Sequence, residues 1–283
     1  MNSQNLNNEK ADLYIPDGTD PEEAIGRTTH LGVGAHQDDL EFMAMHGILE
    51  CHGKADNWFS GITCTNGSGS ARTGPFAAFT NAQMMEVRLE EQREAARVGE
   101  YGFMAQLGYS SAEIKDAKRD DFIKDLRSLL LASKPEVVYT HNPADKHTTH
   151  IAVVTALIQT IRTLPQSDRP GKVIGCEGWR DLDWLPDDKK VIMDLSGHPE
   201  LALRLNGIFN SQISGGKRYD LAVQGRRSAN ATFFDSHSVD EATSVCFGMD
   251  LTPLIEDDSI SLLDFTCTLI DELKADVQAK LGG

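Results

Sequence analysis

The 283-residue chain holds 27 Lys and Arg against 43 Asp and Glu, a formal net charge of −16, with 40% hydrophobic and 25% charged residues. This length and composition suit a soluble protein built on one large α/β domain. The acidic excess argues against nucleic acid as a partner, since neutralising phosphates needs clustered Lys and Arg, and it disfavours anionic membrane surfaces.

In chain order, residues 1–28 are polar, with a turn at Pro16-Asp17-Gly18, and are expected to wrap the surface of a single domain spanning 29–283. A strand over about 29–35 leads into a helix over about 38–51. Residues 62–65 read as a second strand that ends in the Gly- and Ser-rich loop Asn66 to Gly74. A long helix follows over about 81–98, in which Met84, Val87, Ala95 and Val98 share one side. Further elements are a helix over about 119–133, a strand over about 135–140 and an apolar helix over 151–164. After about 172 the pattern becomes shorter strands and loops, among them 190–194 and 232–234, with a last helix over 262–281. Strand–helix alternation predicts a Rossmann-like α/β fold, a largely parallel sheet flanked by helices. The metal-site core is expected over 29–165, and residues 172–283 form a C-terminal mixed α+β extension on the substrate side.

Five scattered cysteines (Cys51, Cys64, Cys176, Cys246, Cys267) show no C-x-x-C spacing. Buried free thiols in a reducing cytoplasm are therefore expected. Residues 1–10 hold no signal-peptide core, and no apolar run reaches membrane-span length. A cytoplasmic location is expected.

The chemistry lies at two strand ends, where functional residues of parallel sheets collect. Leu31-Gly32-Val33-Gly34-Ala35 runs into His36-Gln37-Asp38-Asp39-Leu40-Glu41, and a second strand runs into His141-Asn142-Pro143-Ala144-Asp145-Lys146-His147-Thr148-Thr149-His150. Adjacent aspartates point different ways, which suggests one ligand and one base. Two imidazoles and a carboxylate leave a divalent metal net positive, so that it acidifies bound water. His36, Asp39 and His150 are read as ligands and Asp38 as the base. Capping of a helix start is the competing reading of the Asp pair. His46, His52 and His141 are read as structural, although His141 lies close to His147 in sequence.

These segments resemble the signatures of a known family. Residues Gly34 to Glu41 are similar to the A-H-P-D-D-x-E motif of the LmbE/PIG-L zinc-dependent de-N-acetylases, and Asp145 to His150 to their D-x-H-P-D-H motif. The helix with Arg88, Glu90, Glu91, Ala95 and Ala96 resembles the Arg/Glu helix between them. The resemblance covers about residues 29–165 and implies hydrolysis of an N-acetyl or other N-acyl group on an amino sugar or sugar conjugate. It implies Zn2+, with Fe2+ or another divalent ion accepted by the same donors, a small-molecule substrate, and assembly into symmetric homo-oligomers. Residue by residue, His36, Asp39 and His150 match the metal ligands and Asp38 the general base. His147 matches the histidine that stabilises the oxyanion and assists the leaving amine, and Arg88 a substrate-contacting arginine. Gln37 replaces the usual Pro, which predicts a looser turn. Thr149 replaces the usual Asp, which leaves His147 without its carboxylate partner; Asp145 is the candidate to compensate.

Other segments carry weaker signals. The loop beginning at Asn66 is a candidate wall of a sugar pocket. Lys217 and Arg218, with the nearby Arg226-Arg227, are candidates for binding an anionic substrate group. His237 is a candidate to reach the site from the C-terminal region, and Trp179 and Trp184 to stack on a sugar or to anchor a loop. Two alternatives stay open. His36-Gln37-Asp38 with a distant His150 also satisfies the facial triad of non-haem Fe(II) oxygenases, with Asp38 as the ligand. A sugar- or metal-binding protein of low activity is the other, supported by Thr149.

Overall fold

The computed structural model describes residues 6–235 and 237–282. In its first part strands alternate with helices: β1 (Asp12–Tyr14), α1 (Pro21–Gly26), β2 (His30–Gly34), α2 (Asp39–Met43), α3 (Met45–Cys51), β3 (Phe59–Thr65), α4 (Asn81–Val98), β4 (Met104–Tyr109), α5 (Ser111–Lys115), α6 (Asp120–Ser133), β5 (Val137–His141) and α7 (Thr148–Arg162). The second part adds β6 (Lys172–Cys176), β7 (Lys190–Asp194), α8 (Pro199–Gly207), α9 (Asn210–Ile213), α10 (Tyr219–Phe233), β8 (Val245–Asp250), α11 (Pro253–Glu256) and α12 (Leu262–Gly282).

One eight-stranded sheet has the order β1-β4-β3-β2-β5-β6-β8-β7. The run β4-β3-β2-β5-β6 is parallel, and β1, β8 and their partners pair antiparallel. From β2 the chain moves to β3 and β4 on one side, then returns to β5 and β6 on the other. The carboxyl ends of β2 and β5 therefore flank a topological switch point, where such sheets bind ligands.

Helices cover both faces, which is why β3 is buried at every position, its Ser60, Thr63 and Thr65 included. On β2, Leu31 and Val33 join the core beneath α6 and α7 with Leu126, Val153 and Leu157. The opposite face of β2 carries glycines for a steric reason. A Cβ on Gly32 would meet Phe59 and Leu40 at 2.8 and 2.9 Å, and one on Gly34 would meet the Asp39 Cβ at 3.0 Å. Bare backbone lets α2 lie against the strand end, which is what brings Asp39 into the switch-point crevice.

Several expectations are corrected. The helix expected over 38–51 is broken at Ala44 into α2 and α3. Residues 12–14 of the presumed surface wrap pair with β4 as an edge strand. The segment read as short strands and loops contains the helices α8 and α10, and 232–234, expected as a strand, closes α10 instead. Arg227 and Asn230 are the buried residues of α10, so it lacks the apolar period that marks a helix in sequence. All five cysteines are free, but Cys267 is exposed where burial was expected. A single sheet between helices is not the double-sheet β fold of facial-triad oxygenases. Among the described residues no helix is long and apolar enough to cross a membrane.

Candidate metal centre and active site

The turn after β2 is built by its own side chains. The Asp39 carboxylate accepts the His36 backbone N–H at 2.6 Å and so closes the turn. Asp38 takes a left-handed conformation, φ 96°, an uncommon state for a residue with a Cβ and one that recurs at functional sites. It occupies the N-cap position of α2 but makes no side-chain capping bond. Helix capping therefore does not explain the Asp38 carboxylate. Nor does Gln37 loosen the turn. Its Nε2 donates to the Thr65 carbonyl at 2.9 Å and to Gln106 Oε1 at 3.1 Å, tying the turn to β3 and β4. Gln37→Ala strips two buried acceptors of their donor and is expected to destabilise the fold by about 1–3 kcal/mol, measurable as a lower denaturation midpoint.

Donor groups of three side chains converge above the switch point. His36 Nδ1 lies 3.2 Å from Asp39 Oδ2 and 3.3 Å from His150 Nε2, and His150 Nε2 lies 3.5 Å from Asp39 Oδ1. A tetrahedral ion with bonds of about 2.0–2.1 Å has its ligands roughly 3.3–3.4 Å apart, which is the size of these separations. His147 with His36 and His150, and His141 with Asp39 and His150, are further donor groups of the same cluster. Burial alone would raise the Asp39 carboxyl, but His150 and His141 outweigh it and hold Asp39 well below the usual carboxylate range. For His150 burial opposes charge, yet Asp39 and Asp145 prevail and raise the imidazole above its ordinary value. Asp39 and Asp145 thus favour positive charge at His150, whereas burial and His150 push His141 down to about 4.

Two further imidazoles stand close, and their bonds decide their roles. His141 stacks on His150 with ring centroids 3.8 Å apart, and its Nε2 accepts the Ala35 N–H at 2.9 Å. That lone pair is engaged by the backbone, so His141 braces β2 against β5; the same Nε2 lies 3.3 Å from Asp39 Oδ2. His147 caps α7, its Nδ1 accepting the Thr149 backbone N–H at 3.3 Å. The neutral ring then carries its hydrogen on Nε2. Burial, with His150 and His36 beside it, pushes His147 down to about 4.

Asp145 does not stand in for the carboxylate missing at position 149. Its Oδ2 contacts His150 Nδ1 at 3.3 Å and accepts the Trp179 N–H at 2.9 Å, while its Oδ1 accepts the His147 backbone N–H. It orients a candidate ligand, as carboxylates behind metal-bound histidines do. Thr149 itself is buried and touches His147 through its backbone.

Asp38 turns the other way, toward Arg88. Its Oδ2 lies 3.0 Å from Arg88 Nη2, and its N–H donates to Gln92 Oε1 at 3.2 Å. Arg88 is only 1% exposed; it also donates to the Gln37 carbonyl and lies 3.6 Å from Glu91. Glu91 in turn accepts both the N–H and the hydroxyl of Ser211, fastening α9 to α4. Burial raises the Asp38 carboxyl to about 6 against the opposing pull of Arg88. In this structure Arg88 holds a carboxylate in place, and this buried pairing was not read from the sequence.

The crevice opens into a cavity of about 460 Å³. His36, Asp38, Asp39, His147 and His150 line it together with Asn66, Arg88 and Lys217. Two candidates lie elsewhere. Arg218 is exposed and paired with Asp220 at 2.8 and 2.9 Å, because the chain turns into α10 between it and Lys217. His237 is exposed and does not line the cavity. Residues the sequence left secondary complete the wall: Trp179 packs edge-on to Tyr219 at 6.0 Å and lies 6.2 Å from the His147 ring. Trp184 donates to the Asp181 carbonyl and lies away from this cavity.

Fold and site together define a Rossmann-like α/β protein with a His/Asp centre at its switch point. Over residues 31–161 the chain matches the family model described as PIG-L, GlcNAc-PI de-N-acetylase. No curated protein matches the chain. Among solved structures it is similar to N,N′-diacetylchitobiose deacetylase from Pyrococcus horikoshii (TM-score 0.62, 15% identity, 82% of this chain and 86% of that one). It is also similar to GalB, the 4-carboxy-2-hydroxymuconate hydratase from Pseudomonas putida (TM-score 0.61, 17% identity, 79% and 95%). A third is the A40926 pseudoaglycone deacetylase (TM-score 0.54, 16% identity, 79% and 97%). At these identities the likeness is one of fold.

Proposed function

We propose that this chain is a divalent-metal-dependent hydrolase that removes an N-acyl group, acetyl in the simplest case, from an amino sugar or sugar conjugate. The observation that carries this reading is the convergence of His36, Asp39 and His150 at 3.2–3.5 Å beside an Asp38 carboxyl held by Arg88. The PIG-L match supports a de-N-acetylase, and the similar structures include deacetylases, one of them a zinc-inhibited form of teicoplanin deacetylase. Fold alone does not choose, since a hydratase is about as similar as a deacetylase; the family match tips the reading to amide hydrolysis. The Asp38 carboxylate faces Arg88, which supports a base there over the ligand a facial triad would need.

Zinc, or another divalent ion on these ligands, would supply Lewis acidity toward the amide carbonyl and acidify water. Asp38 accepts the proton of the attacking water as the oxygen bonds to the carbonyl carbon. Arg88 keeps that carboxylate ionised and aimed. His147, neutral and carrying its hydrogen on Nε2, donates to the oxygen that gains charge. The proton taken by Asp38 then passes to the amine as the C–N bond breaks. Trp179 and Tyr219 offer aromatic faces for the sugar ring.

The test is acetate release from N-acetylglucosamine and diacetylchitobiose with zinc content measured in parallel. Wild type is expected to bind zinc stoichiometrically, to lose activity on chelation and to regain it on zinc addition. His36→Ala and His150→Ala are each expected to lose both metal and activity. Turnover that survives complete metal removal would overturn the reading.

A further inference from the structure

The wall of the cavity formed by Gly178, Trp179 and the start of α10 is basic, in a chain with a net charge of −16. Lys217 Nζ lies 5.1 Å from the Trp179 ring, and Arg226 donates through Nη1 to the Gly178 carbonyl. Both cations line the cavity and both are half-buried. Among the described residues neither forms an ion pair with a carboxylate, although Arg93, Arg97, Arg218 and Lys190 all do. Arg227 beside them is buried, donates to the Glu41 and Phe42 carbonyls, and leaves its Nε without a hydrogen-bond partner.

The acids in reach are already occupied. Glu177 accepts the Leu182 N–H on one oxygen and the Asn230 amide and Phe247 N–H on the other, and burial raises its carboxyl against the pull of the nearby Arg226. Asp38 is held by Arg88, and Asp39 by the imidazoles. Half-buried cations with no salt-bridge partner are poised for an anionic ligand, and a guanidinium edge suits planar oxyanions. Trp179 lies 6.2 Å from the His147 ring and 5.1 Å from Lys217 Nζ, so a ligand beside this indole is within reach of both the hydrolytic groups and the cations.

We propose that Lys217 and Arg226 form an anion subsite, so that the substrate is an N-acylated amino sugar bearing a carboxylate or phosphate rather than a neutral one. This rests on the reading of the cavity as the site of amide hydrolysis. The experiment compares kcat/KM for N-acetylglucosamine, its phosphomonoester and N-acetylmuramic acid, in wild type, Lys217→Met/Arg226→Met and Lys217→Arg. Wild type is expected to prefer one anionic substrate by about tenfold or more, the magnitude of one charge-assisted hydrogen bond. Which of the two wins separates phosphate from carboxylate. The double variant is expected to lose that preference and Lys217→Arg to keep it. Equal or better turnover of the neutral sugar by wild type, or a preference that survives in the double variant, would overturn the subsite. Binding of the same three compounds, followed by tryptophan fluorescence, separates the two readings. Tighter binding of an anionic compound to wild type, lost in the double variant, supports the subsite even with no acetate released, an outcome that sinks the hydrolysis reading alone. Equal binding of all three sinks the subsite.

Discussion

Asp38→Asn is expected to lower kcat by about a hundredfold to ten-thousandfold, the usual contribution of a positioned general base, while zinc content stays at the wild-type level. Asparagine is nearly isosteric and its amide oxygen can still accept from Arg88 Nη2, now 3.0 Å from the carboxylate. The converging donors of His36, Asp39 and His150 are untouched, so metal affinity is not the variable. What disappears is the proton acceptor. Activity within tenfold of wild type would remove Asp38 from the mechanism. Loss of zinc would move it into the ligand set, as the oxygenase arrangement requires.

The same carboxyl sets an expected pH dependence. Burial raises Asp38 from 3.8 to about 6, so the base is present above that value and lost as pH falls through it. The acid limb of kcat/KM is therefore expected no higher than about pH 6, since a bound cation adds positive charge and draws the limb lower. Asp38→Asn abolishes the limb. A limb that persists in the variant would assign it to another group.

What the sequence made legible follows from how local each signal is. His36 to Asp39 and Asp145 to His150 are each one unbroken segment at the end of an apolar strand, so donors and placement read together. Helix 81–98 and strand 190–194 are legible to the residue, the former from the side that Met84, Val87, Ala95 and Val98 share. Strand β4 went unread, although it carries Gln106, which anchors Gln37. Helix α10 was hidden because its buried positions are Arg227 and Asn230 rather than an apolar stripe. Long-range pairings are the least visible. Asp38 and Arg88 stand fifty residues apart, and Glu91 meets Ser211 across 120. Lys217 and Arg218 looked equivalent as neighbours in sequence, yet the turn into α10 leaves one in the cavity and the other in solvent.

The second large effect is expected of Arg88→Met. Arg88 is 1% exposed and lies 3.0 Å from Asp38 and 3.6 Å from Glu91. Removing one partner of a buried pair leaves uncompensated charge, and the fold is expected to lose about 3–5 kcal/mol at neutral pH. The loss has a pH signature with a definite sign. Arg88 lowers the Asp38 pKa, so without it the folded-state value rises further above the unfolded one. A group with a raised folded pKa contributes stability that is present at low pH and lost as pH climbs through the folded value. Metal-free Arg88→Met is therefore expected to be closer to wild type at about pH 5 than at about pH 8, read from denaturation midpoints. Activity should follow the same carboxyl, with the acid limb of kcat/KM moving upward relative to wild type. Arg88→Lys is expected to restore little, because one ammonium cannot reach Asp38, the Gln37 carbonyl and Glu91 together as the planar guanidinium does. A variant destabilised equally at both pH values, with an unmoved limb, would make Arg88 a packing residue and detach it from the base.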